Sequence, residues 1–145
     1  MIDIEKKNQI SESAGFYFEN GFHCAEAVVA SVLEGLGHSA SNAVAHATAF
    51  GGGMGRTFEE TCGALSGSLI VIGHFFGRQQ QGVSWDAAAM LGATIRQRFL
   101  DGYATTHCGT LKNRFGEKDQ EKQCALIVRV LAADLFDLLQ ENKDL

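Results

Sequence analysis

Proline is absent from this chain of 145 residues, so every break between elements has to come from glycine or from polar turn chemistry. Also missing is any Cys-x-x-Cys pair. The four cysteines, Cys24, Cys62, Cys108 and Cys124, stand alone, with 37, 45 and 15 residues between successive members. Zinc ribbons and ferredoxin-like clusters take ligands in close pairs, because one turn can aim two sulfurs at one metal. Local spacing therefore carries no metal signal here, and any common site must be assembled by the fold. The absence of Cys-x-x-Cys-His excludes a covalently attached haem. Basic residues form no block, and the net charge is −5, so nothing in the chain can track a phosphate backbone and nucleic acid is not an expected partner. The start, "MIDIEKKNQI", lacks the apolar core of a secretory signal. The uncharged run from Thr61 to Gly77 is too short and too glycine-rich for a spanning helix. No membrane insertion and a cytoplasmic location are the expectation. In that compartment cysteines are more easily kept as thiols, metal ligands or a cycling redox pair than as structural disulfides.

What is present is ordinary for a soluble globule: 46% hydrophobic residues and 20% charged ones. A chain of this length folds as one domain, residues 1–145, and buries about two-thirds of its unfolded surface without staples. Apolar residues recur at helical spacing and no useful stretch alternates with period two, which predicts an all-α bundle of about five to six helices. The pattern places a first helix over residues 8–19, with Ile10, Ala14 and Tyr17 on one face. A second runs from His23 to Glu34 and is stopped by Gly35 and Gly37, which take the left-handed cap cheaply. Ser39 or Ser41 caps a third through Ala49. Thr57 and Glu60 have the spacing of a capping box, so the fourth is expected from Thr57 to about Gly77. A fifth follows Ser84, with Trp85, Ala88, Gly92, Ile95 and Phe99 as its buried stripe. The segment "DGYATTHCGTLKNRFGEKDQ" reads as a loop with a short turn of helix. The last helix, Asp119 to Glu141, repeats Cys124, Val128, Leu131, Leu135 and Leu138 along one face. No repeat or linker divides the chain.

The densest glycine run is "FGGGMGRTFEETCGALSG", Phe50 to Gly67. It matches neither a Walker loop nor a dinucleotide fingerprint, and a helix rather than a strand is expected before it. An anion beside Arg56 at the start of the fourth helix is conceivable, but a structural turn is the simpler reading. Glycine supplies positive φ and close approach of main chain to a neighbour. Gly63 and Gly67, and again Gly73 and Gly77, lie four apart and form a smooth groove for a packing helix.

A reduced cysteine in an apolar helix is usually a small core hydrophobe, and Cys124 alone would read that way. Position argues otherwise for the group. Cys24, Cys62 and Cys124 each fall in the first or second turn of an expected helix, and Cys108 lies in a glycine-bearing loop that can start another. Helix N-termini favour thiolate, the form that attacks disulfides and ligates metals. His23 and His107 precede cysteines and are minority candidates for ligand or proton carrier. His74 is expected to bond a backbone carbonyl, while His38 and His46 carry no signal.

The order of these features resembles the proteins grouped as redox-active under the label C_GCAxxG_C_C. The resemblance is carried by "HCAEAV" at Cys24, the glycine run around Cys62, "HCGTL" at Cys108 and "KQCALIV" at Cys124. The central motif reads Cys62-Gly63-Ala64-Leu65-Ser66-Gly67, that is, Cys-Gly-Ala-x-x-Gly. The resemblance implies that the four cysteines form a redox or cluster site, similar to the iron–sulfur region of split-Soret cytochromes. Asparagine is expected in relatives where His23 and His107 stand, so it implies no role for either histidine.

These readings converge on an iron–sulfur cluster held by Cys24, Cys62, Cys108 and Cys124 for electron transfer with an unknown redox partner protein. The glycines Gly51, Gly52, Gly53, Gly55 and Gly63 would let main chain approach the cluster and aim N–H groups at sulfur. One alternative is a thiol–disulfide enzyme or sensor using Cys62 with Cys108 or Cys124. The other is a zinc or other metal module without redox chemistry. Small-residue helices make a homodimer plausible.

Overall fold

The computed structural model describes residues 2–145. Six α-helices carry the fold: α1 (Ile4–Glu19), α2 (Cys24–Gly35), α3 (Ser41–Ala47), α4 (Gly63–Phe76), α5 (Asp86–Tyr103) and α6 (Cys108–Glu141). A single 3-10 turn, Thr48–Phe50, follows α3. The only pairing of extended backbone among the described residues is one antiparallel bridge, Thr61 with His107. The expected all-α single domain is what forms.

α2 is the centre. Every residue from Ala25 to Leu33 is buried, as expected of a helix that is apolar on all sides. Around it pack α1, α3, α4 and α6. Of the two glycines expected to cap it, Gly35 is the last helical residue and Gly37 takes the left-handed position with φ +81°, while the His38 N–H donates to the Leu33 carbonyl at 2.9 Å, closing a Schellman turn. α1 lies along α6, with Lys7 paired to Asp137 and the Ser11 hydroxyl donating to the Arg129 carbonyl. The two helices therefore run antiparallel. α2 and α4 run parallel. A Cβ on Gly63 would strike Cys24, one on Gly67 would lie 2.6 Å from the Ala25 carbonyl oxygen, and at the far end His38 meets His74.

Several boundaries differ from expectation. α1 begins four residues early, because the Asp3 carboxylate accepts from the Lys6 N–H and caps it. Neither Ser39 nor Ser41 caps α3; Ala40 holds that position without a side-chain bond. Thr57 caps nothing: its hydroxyl bonds the Gly53 and Met54 carbonyls within a turn, and α4 starts at Gly63 with Cys62 as N-cap. The segment after α5 holds more than the short turn of helix expected, since α6 starts at Cys108 and continues past a break at Gly116, where φ is +77°. In α5, Trp85 is exposed, while Leu91, Ile95 and Phe99 are the buried stripe. The Gly63–Gly67 groove does receive α2, but nothing approaches Gly73, and Gly77 faces only the Gly73 backbone.

Candidate functional site

Three helices begin at the same place. Cys24 is the first residue of α2, Cys62 the N-cap of α4 and Cys108 the first residue of α6. Cys124 reaches the same place from inside α6, beyond the Gly116 break, rather than from a first or second turn as expected. All four cysteines line one cavity of about 710 Å³. Cys62 is buried and the other three are half-buried. Residues separated by up to 100 positions thus share a pocket because three chain starts and one helix flank meet there.

Backbone bonds fix two of the sulfurs against each other. The Cys62 N–H donates to the Thr106 carbonyl at 2.7 Å, and the Cys108 N–H donates to the Glu60 carbonyl at 2.8 Å. The Thr61–His107 bridge lies between them, so the starts of α4 and α6 cannot shift independently.

The glycine loop forms the cavity's rim. Gly52, Gly53, Met54, Gly55 and Arg56 all have φ between 62 and 66°, and Phe58 follows at 61°. Five consecutive residues in the left-handed region make a reversed turn, which costs about 1–2 kcal/mol at each non-glycine position. Such strain persists only where the surroundings over-determine it. Close approach supplies that determination: a Cβ on Gly53 would sit 2.6 Å from the Cys108 Cβ, and one on Gly109 would sit 2.6 Å from the Phe58 carbonyl oxygen. Of the glycines singled out by sequence, Gly51, Gly52 and Gly55 line the cavity. Gly53 backs onto Cys108, and Gly63 backs onto Cys24.

The expected delivery of loop N–H groups to sulfur narrows to two of the named glycines. The amides of Gly51, Met54, Gly55, Arg56, Thr57 and Phe58 donate to carbonyls of the same segment. Between Gly51 and Phe58, Gly52 and Gly53 are the amides left without a backbone acceptor. The backbone group that favours thiolate at Cys62 is the Ala64 amide, in the first turn of α4, which pulls the thiol's pKa down against burial. Gln120, one turn before Cys124, lines the cavity and pulls that thiol's pKa down. Sequence reading missed Gln120 because it placed the residue at a helix start; the i, i+4 spacing was its only signal.

Burial dominates the electrostatics. It pushes the Cys62 thiol strongly upward, helped by Cys24, Cys108 and Cys124, against the Ala64 hydrogen bond. Cys124 is pushed up to about 11, first by burial, then by Cys24 and Cys108. Cys108 also rises through burial and Cys24, with Lys112 pulling it down. Helix N-termini are present as expected, yet desolvation outweighs them and these three thiols stay protonated near neutral pH. Each is raised partly by its sulfur neighbours, so the mutual proximity of the cysteines is itself a cause.

The histidines fall away from the chemistry. His107 uses Nδ1 to accept from the Thr110 N–H at 3.0 Å, capping α6. His23 lines the cavity, with its Cβ packed against Gly51. His74 does not bond a carbonyl; its Nε2 lies 3.1 Å from Nδ1 of His38. Among the described residues, no three His, Cys, Asp or Glu side chains are placed to hold one metal ion, and no helix is long and apolar enough to cross a membrane.

Comparison with known proteins gives one result. Searches of curated proteins and of solved structures returned no match. A family model described as "Putative redox-active protein (C_GCAxxG_C_C)" matches residues 22–137, a span that includes all four cysteines and the whole rim loop. With that match covering most of the chain, the protein belongs to the C_GCAxxG_C_C family of redox-active proteins.

Proposed function

We propose that Cys24, Cys62, Cys108 and Cys124 together hold an iron–sulfur cluster and that the protein transfers electrons through it. The observation that carries this reading is the shared cavity: four sulfurs line one space at which three helices begin. The donor set fits, since thiolates are the ligands such clusters take. Three helix N-termini offset the negative charge that four thiolates bring to a partly buried site.

The cavity's size favours a cluster over a single ion. Four thiolates on one zinc must sit about 3.8 Å apart, from a Zn–S distance of about 2.3 Å in a tetrahedron. Among the described residues no three His, Cys, Asp or Glu side chains are placed to hold one metal ion, whereas a cluster places iron and sulfide between its ligands and accepts a wider spread. Thiol–disulfide exchange is disfavoured by the same burial that raises Cys62, Cys108 and Cys124, because exchange needs an accessible thiolate. Iron binding instead displaces the protons directly.

When bound, the cluster supplies one-electron oxidation and reduction. The chain's own part would be to hold the four ligands, with the Ala64 amide beside Cys62 and Gln120 beside Cys124 as the nearby donors. Hydrogen bonds to sulfur and reduced solvent access act on reduction potential in opposite senses, so these two donors tune it upward.

One anaerobic preparation tests the reading by measuring iron, acid-labile sulfide, zinc and free thiols together. Coloured protein with stoichiometric iron and sulfide is the expected result. Stoichiometric zinc without sulfide would replace the cluster with a metal module. Colourless protein whose thiol count changes by two on reduction would make it a disulfide device.

A further inference from the structure

The opposite ends of α2 and α4 carry a second donor pair that the thiol site does not use. His38 follows the Schellman turn at the end of α2, and His74 stands in the last turn of α4. Although 36 residues apart, their ring nitrogens face each other, Nδ1 of His38 to Nε2 of His74 at 3.1 Å. Two nitrogens about 2.1 Å from one tetrahedral or octahedral divalent ion lie about 3.0–3.4 Å apart. The observed separation falls within that range before any ion enters.

Three further features suit a cation. Both rings sit at helix C-termini, whose unpaired carbonyls make the local potential negative; Lys6 already donates to the Gly35 carbonyl at the end of α2. Phe75 packs edge-on against both rings, with centroids 4.8 Å from His38 and 5.0 Å from His74, and limits their rotation. Beside His74 lies a hollow of about 440 Å³, lined also by His46, Asn42 and Ser39. It leaves room for water to complete a coordination shell, and Gly73 leaves its approach free of side chain.

We infer that His38 and His74 form a site for one borderline divalent transition-metal ion of the zinc, nickel or copper class, with water in the remaining positions. This site is separate from the thiol cavity and does not depend on what that cavity holds. Imidazole is the ligand such ions prefer, and neither magnesium nor calcium would compete at a site without carboxylate. In the free protein one ring must donate and the other accept across the 3.1 Å contact. Binding moves the donor's proton to its other nitrogen, so that both lone pairs face the ion and no net proton is lost.

The test is a zinc titration of the full-length reduced protein, followed by nitrogen NMR of the histidine rings and by counting bound zinc after desalting. Wild type should retain one equivalent more than His38→Asn or His74→Gln, and only the His38 and His74 rings should shift as that equivalent binds. Cys62→Ser should keep the ring shifts whatever it does to thiol-bound zinc. Melting curves without zinc verify the fold of each variant, and either histidine variant alone is sufficient. Equal zinc retention by wild type and a folded variant, or ring signals that stay put after the thiols are saturated, overturns the proposal.

Discussion

α2 and α4 lie side by side in the same direction, and their two ends differ in nearly every physical respect. At the N-terminal end are thiols, a rim of left-handed backbone, and glycines such as Gly53, Gly63 and Gly67 that meet a neighbour where a Cβ would stand. At the C-terminal end, about 18 Å away along α2, are two exposed imidazoles, and Gly73 there has nothing near it. One helix pair thus presents soft, buried, acidic donors where helix dipoles favour negative charge, and neutral nitrogen donors where they favour positive charge. The lesson is that glycine here marks function only where contact is enforced: Gly63 and Gly67 are required by α2, whereas Gly73 and Gly77 share their spacing but receive no helix.

The largest effect expected from breaking this asymmetry is at Cys62. Cys62→Ser should lose essentially all bound iron and sulfide while far-UV circular dichroism stays helical, because Cys62 makes no side-chain cap bond to lose and serine is a favoured N-cap residue. Retention of wild-type iron and sulfide would remove Cys62 from the site. Next is Gly63→Ala, whose methyl would collide with the Cys24 sulfur and press on the Phe50 carbonyl and the Ala25 amide. Overpacking of this kind costs about 1–3 kcal/mol, read as a lower denaturant midpoint, and should also lower cluster content. Gly73→Ala meets nothing and should, if anything, stabilise the helix slightly by its better propensity. Equal destabilisation by the two changes would show that the ends do not differ as described.

A smaller effect should come from the rim. Met54 is exposed and held at φ +66°, so Met54→Gly should stabilise by about 0.5–1 kcal/mol, the relief of strain less the chain entropy of glycine. Urea titration of the two proteins would check it. A loss of stability would mean that the Met54 side chain makes contacts worth more than its backbone strain.

How much of this was readable in the sequence follows from which forces act locally. The end of α2 was legible because Gly35, Gly37 and the apolar run all act within one turn. The site's membership was legible through four short motifs, but its geometry was not. Thr57 and Glu60 have capping-box spacing, yet positive φ at Arg56 and Phe58 turns the chain away before a helix can start. Nothing about an arginine or a phenylalanine announces that conformation; the close packing of Gly53 and Gly109 imposes it. The start of α6 at Cys108 was hidden by the polar, glycine-bearing composition of the stretch up to Gly116. The His38–His74 contact had no local signal at all, since it exists only because α2 and α4 run parallel.

The smallest effect lies on α6 beyond the thiol cavity and shows how ordinary the chemistry becomes there. Burial raises the Asp134 carboxyl above its usual value, Arg98 and Lys7 pull it back, and Asp137 adds to the rise. A carboxyl that binds its proton more tightly when folded holds more protons in the native than in the unfolded state. Stability therefore falls as pH climbs from the unfolded value of 3.8 through the raised native one, and the cost persists above that window. Asp134→Asn removes the ionisation, so the variant should match wild type near pH 3 and become the more stable protein at neutral pH. The group is partly solvated, which limits the gain to about 0.5 kcal/mol. Thermal melts at the two pH values would reveal the gap, and a variant less stable than wild type at neutral pH would mean that the attraction of Arg98 and Lys7 outweighs burial.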